Sequence, residues 1–354
     1  MFPADYRASR NAFFDACRQA GGKMESHEHP LRGADGDVVA TDVASFGAAS
    51  ASQVLMIVCG THGVEGLCGS GMQLGLLQRG FCNRIPQQAR IVFVHALNPH
   101  GFLELRRTNE DNVDLNRNFI DHSCAYPDDA AYAEVHPMLV PADWDGSARR
   151  EADARIEEFV RIRGASALQA AISRGQYTFS DGLFYGGRAP SWSNGLWRRL
   201  LQKYAAQAQS LAVVDFHSGL GRRGACELIS GATANSQEHR LANTWFGDGI
   251  VFPGLTSTAP AAAGYMGSSL VETLPEVASA LVVAEIGTVS FDQILLALRA
   301  DNWLHARGQR SSKQWRKIKA LMEESFVGRD RPWQDEVVEH AARVCGRALA
   351  GLLT

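Results

Sequence analysis

The chain has 354 residues, of which 45% are hydrophobic, 21% charged and 8% aromatic. That is the composition of a folded globular protein, and it excludes a disordered, collagenous or coiled-coil chain. A formal charge of −3, from 35 basic and 38 acidic residues, and the lack of any apolar run of membrane-spanning length make nucleic-acid or membrane partners unexpected.

The opening stretch MFPADYRASRNAFFDACRQAGG lacks a basic start followed by an apolar segment and a small-residue cleavage site. A secretory leader is therefore not expected. Seven cysteines, at 17, 59, 68, 82, 124, 226 and 345, include no CxxC pair. Neither a disulfide framework nor a cysteine zinc site is expected, and a reducing cytoplasm is the expected setting.

Four short apolar runs read as strands buried on both faces: VLMIV (54–58), IVFVHA (91–96), LAVVDF (211–216) and LVVAE (281–285). Between the first two, GLCGSGMQLGLLQRGF has apolar residues at helical spacing, which predicts an α/β layered sheet covered on both sides. Residues 121–200 differ in character. They hold AYPDDAAYAEVHPMLVPADWDG, a charged helical run (ARREADARIEEFVRIRG) and the turn-rich YTFSDGLFYGGRAPSWSNG, which reads as a loop or hairpin. This region is expected to be an insertion forming one wall of a cleft. From Phe291 onward, FDQILLALRADNWLHARG, SSKQWRKIKALMEESFV and WQDEVVEHAARVCGRALAGLL read as amphipathic packing helices.

The chemistry concentrates after the strands. GTHGVEG (60–66) follows the first one and puts His62 and Glu65 three residues apart, on one side of a helical turn or tight loop. An imidazole and a carboxylate so spaced can bind one Zn2+ at roughly 2.0–2.2 Å each. The carboxyl end of a strand is also where ligands gather in open α/β sheets. LNPHGFLELRRTNEDNVDLNRNF (97–119) follows the second strand and carries Arg106, Arg107, Asn109, Asn116 and Arg117. It is either a solvated loop or a device for capturing an anionic substrate end.

VVDFHSG places His217 at the end of the third strand, with Asp215 two residues earlier on the same face and able to orient it. His62, Glu65 and His217 together make a donor set typical of catalytic zinc sites. Glu285 ends the apolar strand LVVAE. Either it pairs with an Arg or Lys, or it is kept for proton transfer beside a metal-activated water.

In order and wording, GTHGVEG, RTNEDNVDLNRNF, VDFHSG and AEIGT resemble the M14 zinc carboxypeptidase superfamily. GTHGVEG and DGLFYGGRAPSWSN resemble its DUF2817 branch in particular. The resemblance spans most of residues 50–290. It implies a mixed, largely parallel central sheet flanked by helices, in a single domain over 1–354 with C-terminal helices over 291–354. It also implies zinc on His62, Glu65 and His217, Arg107 polarising the scissile carbonyl, and Asn116 with Arg117 holding a terminal carboxylate. Glu285 would be the general base for the zinc-bound water. Tyr265 is the candidate for the family's mobile tyrosine, with Tyr185 as the alternative.

The long interval between Glu65 and His217 departs from compact carboxypeptidases and is attributed to the 121–200 insertion, in which Arg188 could add an anion contact or be a plain surface arginine. The expected activity is zinc-dependent hydrolysis of an amide next to a free carboxylate, on a small-molecule or peptide substrate. An aspartoacylase-like N-acyl amino acid deacylase or esterase, an inactive metal-binding module, and a second metal bridged by Asp215 or Glu227 are the alternatives. A homo-oligomer is compatible with all of these.

Overall fold

The computed structural model describes residues 2–247, 249–253, 262–310 and 312–354. Eight strands form one mixed sheet: β1 (Lys23–Glu28), β2 (Ala40–Gly47), β3 (Gln53–Cys59), β4 (Ala89–His95), β5 (Ser210–Gly219), β6 (Cys226–Ile229), β7 (Ile250–Val251) and β8 (Ala278–Gly287). Their spatial order is β1-β2-β4-β3-β5-β8-β6-β7. The central four, β4-β3-β5-β8, run parallel, whereas β2 and β6 flank them antiparallel.

The central strands are buried on both faces because both faces carry apolar side chains. On β3, Leu55, Ile57 and Cys59 join one core cluster, while Val54, Met56 and Val58 join the other. Each such side chain contributes roughly 1.5–3 kcal/mol by leaving water. Covering the first face are α1 (Tyr6–Gln19), α2 (Gly66–Gln78), α8 (Gln237–Phe246) and α12 (Arg331–Leu352). The second is covered mainly by α7 (Trp192–Ala205), through Leu196, Trp197, Leu200 and Leu201, and by α9 (Ser268–Thr273), through Leu270.

A short α3 (Pro99–Leu103) follows β4. Residues 121–200 form α4 (Ala130–Leu139), α5 (Ser147–Arg163), α6 (Ala165–Ser173), a loop and the start of α7. The turn-rich segment is thus a loop only as far as Ser191, whose side chain accepts from the Asn194 amide and starts α7 there. The tail forms α10 (Phe291–Arg307), α11 (Lys313–Phe326) and α12. Ser311, the first residue of the second tail segment, lies outside the described residues.

Strand β3 leads through α2 to β4 on one side, while β5 lies on its other side. The order therefore reverses between β3 and β5, and such a reversal opens a crevice at the strands' carboxyl ends. His62 follows β3, and His217 lies near the end of β5. Between β5 and β8, His217 and Glu285 are direct register partners. No described helix is long and apolar enough to cross a membrane.

Candidate metal centre

After Cys59 the backbone turns at Gly60, whose φ of +70° disfavours any residue with a side chain. The next turn packs against the polar segment beyond β4: a Cβ on Gly63 would sit 2.0 Å from the Gly101 carbonyl carbon. The amides of Gly63 and Val64 donate to the carbonyls of Arg107 and Arg106, at 3.2 and 2.8 Å. These contacts bring the Arg107 side chain beside Glu65, the residue immediately before α2.

Two imidazole nitrogens and the Glu65 carboxylate converge here. His62 Nδ1 is 2.9 Å from Glu65 Oε1, His217 Nδ1 is 2.9 Å from Glu65 Oε2, and the two Nδ1 atoms are 3.1 Å apart. Around a tetrahedral ion with ligands at about 2.0–2.2 Å, neighbouring ligand atoms lie roughly 3.3–3.6 Å apart, a few tenths of an ångström wider than here. The outer ring nitrogens face carboxylates, His217 Nε2 lying 2.7 Å from Asp215 Oδ2 and His62 Nε2 3.3 Å from Asp114 Oδ1. If those nitrogens carry the protons, both Nδ1 lone pairs point at each other and at Glu65. A proton on one of them, or a metal ion between them, is what such an arrangement accommodates, so the donor set fits zinc. Among the described residues this is the only cluster of three such donors.

The electrostatics agree. Burial opposes ionisation of Glu65, but the two imidazoles outweigh it and hold the carboxyl below its usual range. Burial likewise opposes a charge on His217, yet Asp215 and Glu65 raise its pKa well above the ordinary value. Asp215 also accepts from the Thr61 hydroxyl at 2.9 Å, so both its oxygens are engaged.

Asp114 is a participant that motif reading misses. One of its oxygens faces His62, and the other accepts from Arg107 Nε at 2.9 Å. Arg107 also donates from Nη1 to Glu65 Oε1 at 3.1 Å. Asp114 caps the short turn Leu115–Arg117 by accepting from the Asn116 amide at 3.0 Å. An acid before a helical turn is a readable capping signal, but its reach to His62 is tertiary.

Glu285 accepts from the Leu220 amide at 3.1 Å and lines the same cavity, of about 360 Å³. Burial, followed by the Glu65 charge, pushes its carboxyl up to about 8. Among the described residues no Arg or Lys forms an ion pair with it, so the structural-pair alternative gains no support.

Arg117 and Asn116 line the cavity too. The Arg117 guanidinium donates to the Ser173 carbonyl from Nε, at 3.1 Å, and from Nη2, and to the Asn116 carbonyl from Nη1, at 2.8 Å. Three of its five N–H groups are thereby used, leaving two to meet a ligand. Tyr265 is also a wall residue, its ring packed on Gly231 and Gly267.

The insertion meets the cavity, and Arg188 matches the surface-arginine alternative. Arg188 is exposed, stacks 4.7 Å over the Tyr126 ring and is not among the cavity walls. Tyr185 is buried away from the cavity, its carbonyl accepting from the Asp114 amide at 2.7 Å. Phe184 and Ser173 are the insertion's cavity-lining residues, and the Phe184 ring lies 4.8 Å from the Arg107 guanidinium and 5.4 Å from that of Arg117. The φ of +51° at Phe184 is rare for a bulky residue. The conformation is held because Gln176 and Asn112 bind the loop's backbone on several sides. Arg106 turns away to pair with Asp301 at 3.1 Å, and Asn109 caps the backbone of Asp111 and Val113.

A family model described as "Protein of unknown function (DUF2817)" matches residues 2–340. No curated protein matches the sequence. Among solved structures, the chain is similar to the carboxypeptidase A from Helicoverpa armigera, with 12% identity and a TM-score of 0.50, over 98% of this chain and 74% of that one. It is similar as well to bovine thrombin-activatable fibrinolysis inhibitor, solved in complex with tick carboxypeptidase inhibitor. That match has 11% identity and a TM-score of 0.50 and covers 99% of this chain and 98% of that one. At these identities the likeness is one of fold: a mixed sheet flanked by helices in the carboxypeptidase arrangement.

Proposed function

The chain belongs to the DUF2817 family, and from that premise and the site's geometry we propose that it is a zinc-dependent hydrolase of an amide bond next to a free carboxylate. The observation that carries this reading is the convergence of His62, Glu65 and His217 on one point, with Glu285 as the register partner of His217. A zinc ion held by those three side chains would supply Lewis acidity and lower the pKa of a water.

Glu285 takes a proton from the attacking water and returns it to the amide nitrogen as the carbon–nitrogen bond breaks, giving a carboxylic acid and an amine. Arg107, anchored by Asp114 and Glu65, keeps guanidinium donors for the oxygen on which negative charge develops. Arg117 and Asn116 hold the carboxylate of the leaving amine, and that positioning lowers the barrier before chemistry begins.

The test measures metal content of the purified protein together with hydrolysis of paired substrates, each with a free or an amidated carboxyl terminus. One bound zinc and a marked preference for free carboxylates are expected. Absence of bound metal, or equal rates on both substrate forms, overturns the proposal.

A further inference from the structure

We propose that the half of the substrate bearing the scissile carbonyl is an apolar acyl group, seated on a wall built by one face of α10. This rests on the hydrolase reading above and adds the substrate class to it. Phe291, Ile294, Leu295 and Leu298 recur at helical spacing, so they share one face of α10, and all four line the cavity. Phe326, at the end of α11, completes the wall. The polar residues interleaved with that face, Asp292 and Gln293, are exposed to solvent.

The wall adjoins the reacting centre. A Cβ built on Gly219, two residues after His217, would meet Phe326 Cε1 at 3.3 Å, Glu285 Oε1 at 3.4 Å and Ile294 Cδ1 at 3.4 Å. The guanidinium of Arg117 is held instead by Ser173, Asn116 and Phe184, none of which belongs to this wall. An amine half anchored by its carboxylate at Arg117 therefore leaves the acyl half to lie along α10, beside Glu285. An acidic acyl chain would be desolvated there with no cation among the described residues of the wall to compensate. A peptide's α-ammonium would find no acid among the described residues of the wall, and the adjoining Glu285 is committed to proton transfer.

The experiment compares kcat/KM for N-acetyl, N-hexanoyl, N-octanoyl and N-succinyl derivatives of one amino acid, with the corresponding dipeptides. The aliphatic series is expected to rise by about fourfold per methylene up to the limit of the wall, with succinyl and dipeptide substrates at the bottom. Ile294→Asn and, at the more exposed end of the wall, Phe291→Ser are expected to shrink the octanoyl-to-acetyl ratio by at least tenfold. Circular dichroism identifies a variant that has failed to fold.

Calorimetric titration of zinc-loaded Glu285→Gln protein with the same compounds reads the wall without turnover. Graded affinity there with no hydrolysis by the wild type rejects the hydrolase reading and keeps the wall. A flat series in both measurements, or a series that folded wall variants leave unchanged, overturns the wall.

Discussion

Asp215 and His217 point to the same side of β5, and their Oδ2 and Nε2 atoms lie 2.7 Å apart. The carboxylate thereby selects the ring tautomer and aims Nδ1 at Glu65. Asp215→Asn is expected to lower zinc affinity by about 10–100-fold while leaving the three donors in place, and His62→Ala to abolish tight binding. Competition against a chromogenic chelator measures both, and unchanged affinity in Asp215→Asn would contradict the orienting role.

Glu285→Gln preserves the shape of the side chain and removes its basicity. Turnover is expected to fall by about 10²–10⁴-fold with the metal still bound. Without metal the carboxyl is pushed up to about 8, and the positive charge of a bound ion pulls it lower. Activity of the wild type should therefore rise with pH as Glu285 ionises, and this acid limb should be missing from the residual activity of the variant. Persistence of the same limb would assign it to another group.

Arg117→Ala removes two free donors from the cavity. KM for substrates with a free carboxylate is expected to rise by roughly 10–100-fold, with little change for amidated ones. A uniform effect on both classes would rule out the clamp.

Two guanidinium groups, those of Arg107 and Arg117, lie against the Phe184 ring. Phe184→Leu keeps much of the volume and loses the π surface, so KM for free-carboxylate substrates should rise by about two- to tenfold, and Phe184→Tyr should restore it. Failure of tyrosine to rescue would mean that the ring serves packing alone.

Glu238, in the first turn of α8, has a buried Oε1 with no hydrogen-bond partner among the described residues, and burial pushes its carboxyl up to about 7 from an ordinary 4.5. Between those values the folded chain holds a proton that the unfolded chain has released, so stability falls as pH rises. The loss is complete above about pH 7 and amounts to roughly 3–4 kcal/mol. Denaturant titrations at pH 5 and 8 should show this slope in the wild type and a weaker one in Glu238→Gln; identical slopes would refute the assignment.

Strands β3, β4, β5 and β8 are legible in the sequence because apolar residues on both faces leave no other reading. The remaining four are not. KMESHE and ATDVASFG carry too many polar and small residues, and β6 and β7 are too short to show a period. The donors His62, Glu65 and His217 are legible because each follows or ends a strand at a recognisable spacing. Asp114 and Phe184 are not, since the first acts across 52 residues and the second depends on a loop conformation that Gln176 and Asn112 impose. Arg188 shows the converse: charge in a loop next to a site does not say which way the side chain faces.

The rung that joins His217 to Glu285 separates what can drift from what cannot. Remodelling of α4–α6, of the loop around Phe184 or of the exposed parts of α10 leaves that rung untouched, whereas a slip of β8 by one residue would present Ala284 or Ile286 in place of the acid. Diversification among homologues should therefore run through the periphery, with the His217–Glu285 pair inherited unchanged as part of the sheet itself.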